Sequence, residues 1–136
     1  MTNNVQPTPM LRTTGFWLAA MMAVFQAANA VRSIGDPVQF AGYMGLPLEN
    51  AADIGFVAVY GLRAGFISLM ITILLLRRQL DALAWVALAA LVMPIGDAWL
   101  TFSAGAPAAT VARHGAVAAY VLVAFVFLRR AADRVS

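Results

Sequence analysis

The sequence predicts an all-α integral membrane bundle of four spans, with a short interfacial helix in the first outer loop. Three observations carry this. The 136-residue chain is 62% hydrophobic and only 11% charged, where a soluble domain carries about 25% charged residues. Its apolar residues fall into four runs, residues 11–31, 55–76, 82–102 and 108–128, each of about the length that crosses the hydrocarbon core as a helix. All nine of its basic residues are arginine, and most of them stand at alternate ends of those runs.

Residues 1–10 are polar, carry Pro7 and Pro9, and read as a disordered lead. Residues 11–130 read as one transmembrane domain and 131–136 as a cytoplasmic tail. The first run has Arg12 on its leading flank. Arg12, the apolar run and Ala28-Asn29-Ala30 also fit a cleavable signal peptide. The single leading Arg and the polar Gln26 and Asn29 count against cleavage. Gln26, Asn29 and Ser33 fall near one helical stripe with Arg32 beside them, so that stripe faces the bundle.

The connection over residues 33–50 is long for a simple turn. Asp36-Pro37 has N-cap and first-turn chemistry, which predicts a short helix over residues 37–43, ended by Gly42, Gly45 and Pro47. Phe40, Tyr43, Met44 and Leu46 make this segment apolar, so it lies in the interface or folds over the bundle mouth. Asn50 is placed to cap the next helix, with Asp53 in its first turn.

The second span carries Arg63 near its middle. A guanidinium there costs roughly 2.5–3.5 kcal/mol on insertion scales and calls for a partner. Gly61-x-x-x-Gly65 lies roughly opposite Arg63 and lets another backbone approach, from a neighbouring helix or from a second copy in a homodimer. After Arg77-Arg78 and a short polar turn, the third span contains Pro94 and Asp97. Pro94 cannot donate to the carbonyl of Ala90, which predicts a kink there. The fourth span holds Arg113 and His114 in its first turns and Tyr120 near its middle, and Arg129, Arg130 and Arg134 follow.

Arg12, Arg77-Arg78 and the closing arginines alternate as four spans with both termini cytoplasmic require, in a bacterial inner membrane. The net charge of +3 does not point to nucleic acid, because the arginines form no continuous patch. One histidine and no cysteine exclude a conventional zinc or Cys-His site, and no metal or other cofactor is expected.

Side chains lean toward their helix N-terminus. On antiparallel spans this brings Asn29, Tyr60, Arg63, Asp97 and His114 toward one polar cluster in the outer half of the bilayer. Arg32 and Arg113 stand nearer the rim as snorkelling anchors. The cluster has two readings. In one, Arg63 and Asp97 form a bidentate pair that locks two helices. In the other, a pocket binds a small lipophilic molecule, with Arg63, Tyr60 and Asn29 as substrate-binding residues and Asp97 and His114 moving protons. These residues fit binding and catalysis alike. Non-enzymatic roles follow from the same sequence: a subunit or assembly partner of a membrane complex, or a proton-coupled exporter acting as a dimer. Beyond lipid, the partner expected is a lipophilic ligand.

The order Asp36-Pro37, Gly45-Leu46-Pro47, Tyr60-Gly61-Leu62-Arg63-x-Gly65, Gly96-Asp97 and His114-Gly115 resembles a family of uncharacterised small four-helix membrane proteins of bacteria and fungi. In layout that family is similar to the DoxX-like proteins. The resemblance covers roughly residues 15–128. It implies a four-helix membrane bundle in which Arg63, Asp97 and His114 are matched positions, and it implies no established activity.

Overall fold

A computed structural model describes residues 9–135, which form helices with no strand among them. Of the disordered lead expected over residues 1–10, only Pro9 and Met10 fall within the described residues. Met10–Arg12 form a 3-10 turn that leads into α1, Thr14–Gly35. Thr13 caps α1: its hydroxyl accepts from the Phe16 amide at 3.4 Å and donates to the Met10 carbonyl at 2.7 Å.

The short helix forms as α2, Pro37–Met44, and its ends follow the local chemistry. The Asp36 carboxylate accepts from the Gln39 amide at 3.0 Å, and Gly45 closes the helix at φ 85°. Phe40 and Ala41 are buried, so α2 folds over the bundle mouth. α3, Ile54–Leu76, is opened by a 3-10 turn at Ala51–Asp53. Asn50 precedes that turn, but its side chain makes no capping hydrogen bond, contrary to expectation. Asn50 closes the turn with its backbone instead, its carbonyl accepting from the Asp53 N–H at 3.1 Å.

The third span is split in two: α4, Leu80–Ala90, and α5, Val92–Ser103, break at Leu91. Pro94 supplies the cause, since it has no N–H for the Ala90 carbonyl. α6, Ala108–Val135, completes the bundle and continues through most of the segment assigned to the tail. Among the described residues, Thr14–Gly35, Ala51–Leu76, Leu80–Ser103 and Ala108–Arg134 are long and apolar enough to cross a membrane. Large apolar side chains such as Phe56, Leu62, Phe66, Trp99 and Phe102 point outward, as a lipid environment favours. The protein is an integral membrane four-helix bundle.

Helix α1 is central, packed on α3 on one side and α6 on the other. Small residues set these contacts. A Cβ on Gly61 would stand 2.3 Å from Ser33 Oγ, and one on Gly15 would stand 2.7 Å from the Phe127 carbonyl oxygen. Gly61 therefore meets α1 of the same chain. Buried hydrogen bonds add to the packing: Ser68 Oγ donates to the Ala23 carbonyl at 2.8 Å, and Tyr120 Oη to the Leu18 carbonyl at 2.7 Å. α6 carries α4 and α5 on its far side, while α3 and α5 do not pack along their length. The bundle is thus closed through α3–α1–α6–α4/α5 and open between α3 and α5. At the Arg77-Arg78 end, Ile71, Leu75, Leu80, Leu83 and Leu128 seal it with an apolar cluster. Arg129 pairs there with Asp81 across α6 and α4.

Candidate functional site

The open side leads into a cavity of about 320 Å³ lined by residues from all six helices. That volume lies at the lower end of the range for small-molecule sites. The lining follows helical periodicity: Ala19, Met22, Gln26 and Asn29 on α1; Tyr60, Ala64, Ile67 and Ile71 on α3; His114, Val117, Val121 and Ala124 on α6. The walls are chiefly apolar, and Met22, Met44, Met70 and Met93 give them an adaptable surface. The five residues singled out in the sequence, Asn29, Tyr60, Arg63, Asp97 and His114, all line this cavity.

They do not meet in the way the sequence suggested. Arg63 and Asp97 share the cavity but form no ion pair. The side chain that faces the Asp97 carboxylate is His114, with Nδ1 4.0 Å from Oδ2. The packing of α3 explains this. With Gly61 turned into α1, a residue two positions on is rotated by about 200°, at the edge of the cavity-facing arc. Arg63 is exposed there, on the unpacked side between α3 and α5. It has neither an ion-pair nor a hydrogen-bond partner among the described residues.

His114 is buried at 5% exposure and is the only histidine in the chain. Its Nε2 lies 3.1 Å from the Met44 carbonyl oxygen. A carbonyl only accepts, so Nε2 carries the hydrogen and donates to it. In the neutral ring this leaves a lone pair on Nδ1, facing a carboxyl oxygen. Two acceptors do not satisfy one another. At 4.0 Å the two groups are beyond direct hydrogen-bond range, which leaves room for a polar atom to approach both.

Asn29 is buried, at 4% exposure. Its amide has no hydrogen-bond partner among the described residues and opens on the cavity. Tyr60 packs its ring against Phe40 of α2, with centroids 5.4 Å apart.

Sequence reasoning missed the part α2 plays. The Met44 carbonyl fixes the His114 tautomer, and the Tyr43 carbonyl accepts from Arg113. The Arg113 and Arg32 guanidiniums both lie over the Tyr43 ring, at 3.9 and 4.4 Å from its centroid. The two arginines expected as rim anchors thus both stack on the Tyr43 ring of α2. Backbone acceptors leave no trace in residue identity; the only sequence signal was the apolar run Phe40, Tyr43, Met44. No group of three His, Cys, Asp or Glu side chains meets among the described residues.

Residues 14–128 match the model of a domain of unknown function, DUF4267. The chain belongs to the DUF4267 family. The match runs from the first residue of α1 to Leu128 of α6, so the whole cavity lies within the DUF4267 domain. No curated protein matches this DUF4267 chain, and no solved structure does.

Proposed function

We infer that this protein holds a small lipophilic molecule in its cavity, polar group toward Asp97 and His114, and transfers a proton at that pair. The observation that carries this reading is a single cavity with apolar walls and a polar end that collects Asn29, Tyr60, Arg63, Asp97 and His114. Arg63 and Tyr60 hold an electron-rich oxygen of the ligand. Asp97 or His114 Nδ1 takes a proton from the carbon beside it and returns it elsewhere, as an isomerisation or cyclisation requires. The placement of the arginines supports cytoplasmic termini in a bacterial inner membrane, with the polar end toward the outer leaflet.

The test is native mass spectrometry of the purified protein, comparing wild type with Asp97→Asn and Arg63→Gln. The reading expects a co-purifying small molecule that both variants lose while keeping wild-type folded yield. A drop in yield with no bound molecule in any sample would make the cluster structural.

The likeness in layout to DoxX-like proteins supports a different reading, a small subunit of a membrane complex. Such a subunit has no need of internal space, and the cavity counts against it. A proton-coupled exporter needs a membrane carboxylate free to exchange protons, and the lack of an Arg63–Asp97 pair supports that reading. Proton-driven efflux from vesicles carrying the protein, abolished by Asp97→Asn, separates the exporter from a binding protein.

A further inference from the structure

We propose that the ligand is an amphiphile with an anionic oxygen head, a carboxylate in the simplest case, that enters between α3 and α5. The proposal rests on the reading of the cavity as a lipophile site and adds its charge and its route. Three observations carry it.

The first is the state of Arg63. It lines the cavity within a membrane span and has no counter-charge among the described residues. An uncompensated guanidinium in hydrocarbon is unfavourable, and a bound anion removes that penalty in the occupied state. The guanidinium fork matches a planar carboxylate with two parallel hydrogen bonds.

The second is Asn29. The residue is 4% exposed, and its side-chain amide, with no partner among the described residues, opens on the same cavity. An amide accessible from the cavity has N–H donors free for a ligand oxygen.

The third is the charge that lines the cavity itself. Arg63 and Arg113 line it, against one carboxylate, Asp97. Neither arginine forms an ion pair among the described residues. The surplus is positive, which selects against cationic amphiphiles and for anionic ones. The route follows from the packing: α3 and α5 leave a side open where Arg63 and Met93 are exposed, so a chain lying in the bilayer reaches the cavity sideways.

Dodecanoate, dodecanol and dodecyltrimethylammonium share one tail and differ in head charge. Each is titrated against the full-length protein in a neutral maltoside, with thermal shift and native mass spectrometry as readouts. Dodecanoate is expected to bind about tenfold or more tightly than the other two. Arg63→Gln erases that preference, bringing dodecanoate down to the level of dodecanol. Arg63→Lys restores part of it, and Asn29→Ala weakens dodecanoate with the fold intact. If dodecanol binds as well as dodecanoate, the anionic head is wrong and the lipophile site stands. Tighter binding of the cation gives Asp97 control of the site and overturns the proposal. Should none of the three bind, the lipophile reading falls along with it. Equal dodecanoate binding by wild type and Arg63→Gln removes Arg63 from the site.

Discussion

His114 presents Nδ1 to the Asp97 carboxylate at 4.0 Å while its Nε2 is engaged by the Met44 carbonyl at 3.1 Å. One helix–loop contact therefore decides which imidazole nitrogen faces the cavity. Because the chain has a single histidine, its nitrogen spectrum reports on this site alone. In 15N-labelled protein the neutral ring is expected in the Nε2–H tautomer, read from two-bond 1H–15N correlations. A dominant Nδ1–H tautomer would show that α2 does not hold the ring as described.

The two glycines of the Gly61-x-x-x-Gly65 motif are unequal. A Cβ at Gly61 would collide with Ser33 Oγ at 2.3 Å, whereas one at Gly65 would meet Ala30 Cβ at 3.6 Å, an ordinary contact. Gly61→Ala is expected to destabilise by about 1–3 kcal/mol, the usual range for overpacking, and Gly65→Ala to be neutral. Ser33→Ala, combined with Gly61→Ala, recovers part of the loss because it removes the colliding oxygen. Thermal unfolding in detergent of the wild type and these three variants measures each term, and equal losses at the two glycines would contradict the packing of α3 on α1.

Three helices end with the same pair of backbone bonds, in which a residue with positive φ lets the chain turn back. Gly45 ends α2 at φ 85° and Gly105 ends α5 at φ 73°, but α3 uses Arg78 at φ 57°. A residue with a Cβ pays roughly 1–2 kcal/mol for that conformation, and glycine does not. Arg78→Gly is expected to raise the unfolding midpoint, with a gain of about 1 kcal/mol. Arg77 keeps a positive charge at this end of the span. An unchanged or lowered midpoint would mean that Arg78 makes a compensating interaction with headgroups.

Phe40 is 3% exposed and stacks near Tyr60. It pins α2 to the mouth of the cavity. Phe40→Ala should cost about 3–5 kcal/mol in a tightly packed site, felt locally as loosening of α2. Faster amide hydrogen exchange over Pro37–Met44, with exchange in α6 little changed, is the expected pattern. Uniform acceleration across all helices would show that α2 is part of one cooperative unit with the spans.

Much of this architecture could be read from the chain. The four spans follow from apolar length, α2 from Asp36-Pro37 and Gly45, and the break in the third span from Pro94. The five polar residues were legible as a set because ionisable groups inside spans are rare. Their pairing was not legible. Which spans neighbour one another is decided by the fit of small residues, such as Gly61 against Ser33 and Gly15 against the Phe127 carbonyl. Periodicity fixes the faces of each helix, not the neighbour each face meets. Arg63 was expected against Asp97, but α1 took the Gly61 face and α5 stayed away from α3, so Asp97 was left to His114. The contribution of α2 through two backbone carbonyls depends on atoms every residue possesses.

The elbow at Leu91 has a mechanical consequence. Its α4 arm is bolted down at the far end, by Leu80 and Leu83 in the apolar cluster and by Asp81 to Arg129. Its α5 arm carries Asp97 and borders the gap facing Arg63. α5 packs on α6 much as α4 does, so the bend redirects the span without freeing it and holds Asp97 against α6, beside His114 and across the gap from Arg63.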